Sequence, residues 1–136
     1  MTTVEKVYFL KAVELFSAID GDDLLEIALA AEEVERSAGE DIVREGELDD
    51  TLYVIVGGRA GVYRGRQMVA QLKDREVFGE LALLDPAPRS ATVTALTDTR
   101  LLRIDREVFL ELLRGHHEIA AGITRILARR LRAAGR

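Results

Sequence analysis

A chain of 136 residues, 48% of them hydrophobic, suffices for one core and leaves no room for a second domain. Cysteine is absent, which excludes a disulfide framework, a thiolate zinc site and a thiol nucleophile and suits a reducing compartment. The net charge of -5 argues against nucleic acid as the main partner, because affinity for a phosphate backbone comes chiefly from clustered Lys and Arg.

The start, Met1-Thr2-Thr3-Val4-Glu5, lacks the basic and apolar regions of a signal peptide, and every apolar stretch is far shorter than a membrane span. The chain is therefore read as soluble, cytoplasmic and not membrane-inserted. Val4, Val7, Leu10 and Val13 recur at helical spacing. A second helix is predicted from Leu24 to Val34, started by the carboxylates of Asp20-Gly21-Asp22-Asp23. From Glu40 the pattern changes to short β-branched and apolar runs: Ile42-Val43, Thr51 to Val56, Ala60 to Tyr63, Met68 to Leu72, Ala91 to Leu96 and Leu101 to Ile104. Gly46, Gly57-Gly58 and Gly65 punctuate them at hairpin spacing, too close for parallel βαβ units. Leu52, Val54 and Val56 face one side of a strand and Tyr53 and Ile55 the other, so that strand is apolar on both faces and central.

After Ile104 the helical period returns. Asp105 can cap a helix through Leu113, and Ile119, Ile123, Ile126, Leu127 and Leu131 form the stripe of a last helix. Residues 114 to 136 hold six arginines against one glutamate, a balance of +5, so the rest of the chain is acidic. The basic stretch is read chiefly as a solvated face that complements the acidic body and its own helix dipole, with no nucleic-acid contact expected.

One segment carries chemistry: Val77-Phe78-Gly79-Glu80-Leu81-Ala82-Leu83-Leu84-Asp85-Pro86-Ala87-Pro88-Arg89-Ser90-Ala91-Thr92-Val93. Gly79 permits a tight turn, and a short helix-prone run after it presents unpaired N–H groups that suit a phosphate. Arg89 follows a proline-stiffened loop; its planar guanidinium can grip two phosphate oxygens while Ser90 donates another hydrogen bond. Glu80 can accept from a ribose hydroxyl.

This segment resembles the phosphate-binding cassette of the cyclic-nucleotide-binding domain family. Upstream, Gly39-Glu40-Asp41-Ile42, Gly46, Leu52-Tyr53-Val54-Ile55 and Gly58 resemble the family's glycine and strand pattern, so the likeness runs from about Val13 to the end. It implies a mainly β fold with flanking helices: N-terminal helices over residues 1–36, a jelly-roll-like β-roll over 37–104 with the cassette at 78–92, and C-terminal B and C helices over 105–136. It implies a regulatory, non-enzymatic sensor whose ligand is cAMP or cGMP, with no further cofactor and no metal. The ligand set it implies is Phe78, Gly79, Glu80, Leu81, Ala82, Arg89, Ser90, Ala91 and Arg130. Glu80 takes the ribose 2′-hydroxyl, Arg89 the cyclic phosphate, and the backbone near Ala82 and Ala91 the remaining phosphate oxygens. The last helix has no aromatic residue to stack on the base; bacterial channel-type members carry an arginine at the offset of Arg130, which is assigned that role. Ser90, where cGMP-selective members often have threonine, tilts the expectation to cAMP. Asp74-Arg75-Glu76 stands where many members have a glycine. Homodimerisation through the last helix and an effector domain outside this chain are the expected partnerships.

Competing readings are simpler. Arg89 and Glu80 can form a structural ion pair, but that leaves the surrounding glycine, small residues and hydroxyl unexplained. His116-His117 invites a metal or a cupin-like enzyme, but adjacent helical residues point about 100° apart and a third ligand is missing. A family member without ligand, serving as a dimerisation scaffold, is the remaining alternative.

Overall fold

The computed structural model describes residues 1–80 and 85–134, the last of these by its backbone only. Helix α1 (Thr3–Lys11) starts on a capping box, with Thr2 Oγ1 accepting from Glu5 N at 3.1 Å and Glu5 Oε1 accepting from Thr2 N at 3.0 Å. A 3₁₀ turn (Glu14–Phe16) leads to α2 (Gly21–Ala30), whose first turn carries Asp22 and Asp23 beside the positive end of the dipole.

The second helix is shorter than its apolar spacing predicts. It stops at Ala30, and Glu32–Arg36 is strand β1, so the roll begins before residue 37. The physical reason is non-local. Glu32 and Glu35 lie opposite Arg103 and Arg100 of the last strand, β8 (Thr99–Ile104), and Val34 packs towards the roll interior. Cross-strand charge pairs of this kind favour a strand in a run that would otherwise pass for a helix tail.

Strands β2 (Asp41–Val43), β3 (Leu52–Gly57), β4 (Ala60–Arg64), β5 (Gln67–Leu72), β6 (Val77–Phe78), β7 (Thr92–Ala95) and β8 (Thr99–Ile104) complete two antiparallel sheets, ordered β1-β8-β3-β6 and β2-β7-β4-β5. The chain ends with α3 (Arg106–Leu113) and α4 (His117–Ala134). Asp105 stands at the start of α3 without a side-chain capping bond. No helix among the described residues is long and apolar enough to cross a membrane. The mainly β fold with flanking helices is as expected.

Strand β3 is central, between β8 and β6, and its alternation divides two cores. Leu52 and Val54 join the helices in an outer core with Leu10, Phe16, Ile27 and Phe109. Tyr53 and Ile55 face the roll interior with Val43, Phe78, Val93 and Leu101. Ile119, Ile123 and Ile126 of α4 are also buried in the outer core, while Leu131 is 73% exposed. The stripe read from the sequence therefore splits: the first turns of α4 are core, and only its end stands free.

Candidate ligand-binding site

Between β6 and β7 the roll opens into a pocket of about 310 Å³, within the range of small-molecule sites. Val43, Val62 and Val93 of the second sheet form its apolar wall with Phe78, which stacks on Tyr53 at 5.2 Å. Glu80, Arg89, Ser90 and Ala91 form its polar side.

Arg89 is 8% exposed and is held from three directions. Its backbone is strapped to the β2–β3 loop: Gly46 N donates to its carbonyl and its own N donates to Glu47 O, both at 2.8 Å. Its Nη2 donates to Thr51 O at 2.7 Å and lies 3.2 Å from Asp49 Oδ2. Asp49 Oδ1 in turn accepts from Thr51 Oγ1 at 2.6 Å and Thr51 N at 3.0 Å. Burial pushes the Asp49 carboxyl up, but the two Thr51 hydrogen bonds and the Arg89 charge outweigh it and hold the group below the usual carboxylate range.

Gly79 is required twice over. Its φ of +87° is in the left-handed region, and a Cβ there would press on Arg89 Nη1 and stand 2.7 Å from Thr51 O. Within Asp74-Arg75-Glu76, the stretch where the resemblance leads one to expect a glycine, the backbone is likewise left-handed: Arg75 has φ +70°, the one non-glycine residue with positive φ among those described.

Arg89 Nε is buried and has no hydrogen-bond partner among the described residues. Leaving a buried donor of a charged group unpaired costs at least about 1–3 kcal/mol, which an anion in the pocket would recover. Ser90 is exposed on the pocket side and Ala91 half-buried beside it.

Glu80 does not pair with Arg89. Its Oε1 accepts from Arg130 Nη1 at 2.7 Å, which places the end of α4 at the pocket. Phe78, Gly79, Glu80, Arg89, Ser90, Ala91 and Arg130 are thus brought together, whereas Leu81 and Ala82 lie outside the described residues. His116 sits 3.8 Å from Asp23 and 3.6 Å from Glu118, and no metal-binding group occurs among the described residues.

Sequence reasoning missed Asp49 and Thr51. An acceptor side chain two residues before a threonine, at the entry to a strand, is an Asx-turn signal that would have marked them as an ordered support.

A β-roll with a buried arginine lining its pocket is a site suited to a small anion. A family model described as cyclic nucleotide-binding domain matches residues 33–116, more than half the chain, and the chain belongs to that family. It is 29% identical over 123 residues to a CRP-like cAMP-activated global transcriptional regulator of Mycobacterium tuberculosis, covering 87% of this chain and 55% of that protein. It is 37% identical over 106 residues to a cAMP-dependent protein kinase regulatory subunit of Eremothecium gossypii, covering 77% of this chain and 23% of that protein. Among solved structures it resembles the N-terminal domain of a transcriptional regulator from Streptomyces coelicolor A3(2), with 36% identity, a TM-score of 0.77 and coverage of 93% of this chain and 92% of that one. The chain spans about half the length of the first of these curated relatives and about a quarter of the second.

Proposed function

We propose that this chain is a cAMP-binding sensor domain, without catalytic activity of its own, that passes ligand binding on through the end of α4. The observation that carries this reading is a buried arginine on the pocket wall whose Nε has no partner among the described residues. The cyclic phosphate lies against Arg89, with Ser90 and the Ala91 backbone donating to its remaining oxygens. The ribose 2′-hydroxyl donates to Glu80, and the purine rests on the valine and Phe78 wall. Similarity to relatives named as cAMP-activated and cAMP-dependent supports cAMP as the nucleotide. Ser90 supports it over cGMP. An effector outside this chain and a second copy paired through α4 complete the proposal.

Thermal unfolding tests it. A ligand at one hundred times its Kd adds about 2.7 kcal/mol, or on the order of ten degrees in Tm for a domain of this size. A melting curve unmoved by millimolar cAMP and cGMP, on protein stripped of nucleotide, sinks the reading.

A further inference from the structure

The chain carries a net charge of -5, yet the run from Arg59 to Lys73 holds no acidic residue. Folded, this run is the β4–β5 hairpin, with Arg64 and Arg66 at its turn, Arg59 and Lys73 at its open end, and Arg75 just beyond. All of these cations are exposed, and none of their side chains has a hydrogen-bond or ion-pair partner among the described residues. Elsewhere on the roll Arg44, Arg89, Arg100 and Arg103 each face a carboxylate. Two carboxylates that reach the hairpin bind its backbone instead: Glu45 Oε2 accepts from Gly65 N at 3.2 Å and Glu76 Oε1 from Lys73 N at 3.1 Å. Asp74 is the one acid interleaved with the cations.

Strand β5 is also an outer edge. It is hydrogen-bonded to β4 alone, so its other side presents N–H and C=O groups to water, and Gln67 to Gln71 are exposed throughout. The side chains between its flanking cations are uncharged, with Met68 38% and Val69 48% exposed. Met68 Cε and Tyr63 Cε2 close over Gly61 of β4, where a Cβ would stand 3.1 and 2.9 Å from them, and form a small apolar floor beside the edge.

Charges and bulges protect an edge from pairing with its own kind, and here both work against a second copy. Full antiparallel overlap of β5 with itself sets Arg66 opposite Lys73. The register jump from Val62↔Ala70 to Tyr63↔Met68 leaves Val69 unpaired and bends the strand. A preformed sheet edge cannot follow that bend, whereas a free extended segment can.

We propose that the outer edge of β5 is a docking site for an extended acidic segment of a partner protein, which joins the sheet as an added strand. Its carboxylates meet Arg64 and Arg66 at one end and Arg59 and Lys73 at the other, and its apolar side chains rest on the Met68–Tyr63 floor. Backbone pairing supplies affinity, and the unpaired cations select an acidic partner. No residue of β5 lines the pocket, so docking is independent of what fills it.

The probe is a capped, fluorescein-labelled peptide of alternating glutamate and valine, titrated against the whole chain by fluorescence anisotropy. Saturable binding is expected, with slowed amide exchange at residues 67–72 and a loss of about tenfold when alternate peptide amides are N-methylated. Arg66→Ser with Lys73→Ser, folded by circular dichroism, should weaken binding about five- to tenfold. Arg114→Ser with Arg125→Ser removes the same charge from other exposed positions and should leave it within about twofold. No saturation at millimolar peptide, indifference to N-methylation, or equal binding of a lysine–valine peptide overturns the proposal. A short DNA duplex that binds at the same cations more tightly than the peptide overturns it too, by making the hairpin a surface for polyanions. Protection of residues 67–72 that grows with protein concentration alone overturns the choice of partner in favour of a second copy.

Discussion

Arg89 and Arg130 approach the same pocket from regions built on different principles. Arg89 is buried, strapped by backbone hydrogen bonds to residues 46 and 47, and backed by Asp49 and Thr51. Arg130 is 40% exposed, on a helix end whose apolar neighbour Leu131 faces water. The first arrangement is paid for during folding and is ready before any ligand arrives. The second is an ion pair on the rim, weak enough to form and break at a cost a ligand can supply. The proposed sensor reading uses both: a fixed recognition element, and one whose energy would differ between free and bound states.

The largest expected effect separates the anchored and free parts of α4. Removing residues 118–136 takes Ile119, Ile123 and Ile126 out of the outer core, each worth about 1.5–3 kcal/mol of burial, which is comparable with the whole stability of a small domain. That variant should fail to melt cooperatively, so the helix cannot be treated as an appendage from its first turn. Removing residues 129–136 instead should leave cooperative unfolding intact and weaken nucleotide binding. Circular dichroism melts of the two variants check this, and equal stability would show that the helix is not part of the core.

Arg89→Ala comes next, with a loss of about 2–5 kcal/mol in binding, thirtyfold or more, because the phosphate loses its charge-assisted partner. The domain should remain folded, since the arginine satisfies Thr51 and Asp49 at the pocket rather than in a core. Calorimetric affinities on the variant decide it; parent-like binding would remove Arg89 from the phosphate site. Gly79→Ala should impair the same site by a different route, through left-handed strain of about 1–2 kcal/mol and displacement of Arg89 Nη1. It should lower both Tm and affinity, and Arg89→Ala should lower Tm as well, because Thr51 O and Asp49 lose the guanidinium that satisfies them.

The support beneath Arg89 has a pH signature. The Asp49 carboxyl is held below its usual range in the folded state, so its contribution is present above the unfolded carboxylate value of about 3.9 and is lost as pH falls through the lower folded value. Urea midpoints between pH 6 and 2.5 should fall less steeply below about pH 4 for Asp49→Asn than for the parent. Parallel curves would show that Asp49 gains nothing from Thr51 and Arg89. The smallest effect is Arg75→Gly, where relief of a left-handed backbone is offset by greater freedom of the unfolded chain, leaving a Tm change within a few degrees.

Much of the roll was legible because its hairpins are local: the runs after Gly46, Gly57-Gly58 and Gly65 became β3, β4 and β5 with boundaries shifted by a residue. Strand β1 was not, because its charged run acquires meaning only opposite Arg100 and Arg103 of β8, far along the chain. Strand β6 was hidden by its length of two residues. The same division holds at the pocket. Glu80 and Arg89 stand in one contiguous segment whose chemistry can be read residue by residue. The Asp49–Thr51 support and the Arg130–Glu80 pair join positions about forty and fifty residues apart, and no periodicity encodes that. The spacing of Ile119, Ile123 and Ile126 did reveal an apolar face, but not that the face belongs to the outer core.

The central claim is that the orphaned donor of Arg89 awaits the phosphate of a cyclic nucleotide. Isothermal titration of nucleotide-free protein with cAMP addresses it most directly, with Arg89→Ala titrated alongside. A ligand efficiency of about 0.3 kcal/mol for each of about 22 non-hydrogen atoms gives a Kd on the order of 10 μM for the parent, and the variant should be at least thirtyfold weaker. Titration of the folded parent to millimolar cAMP without saturable heat, or affinity that survives loss of the guanidinium, would contradict the account.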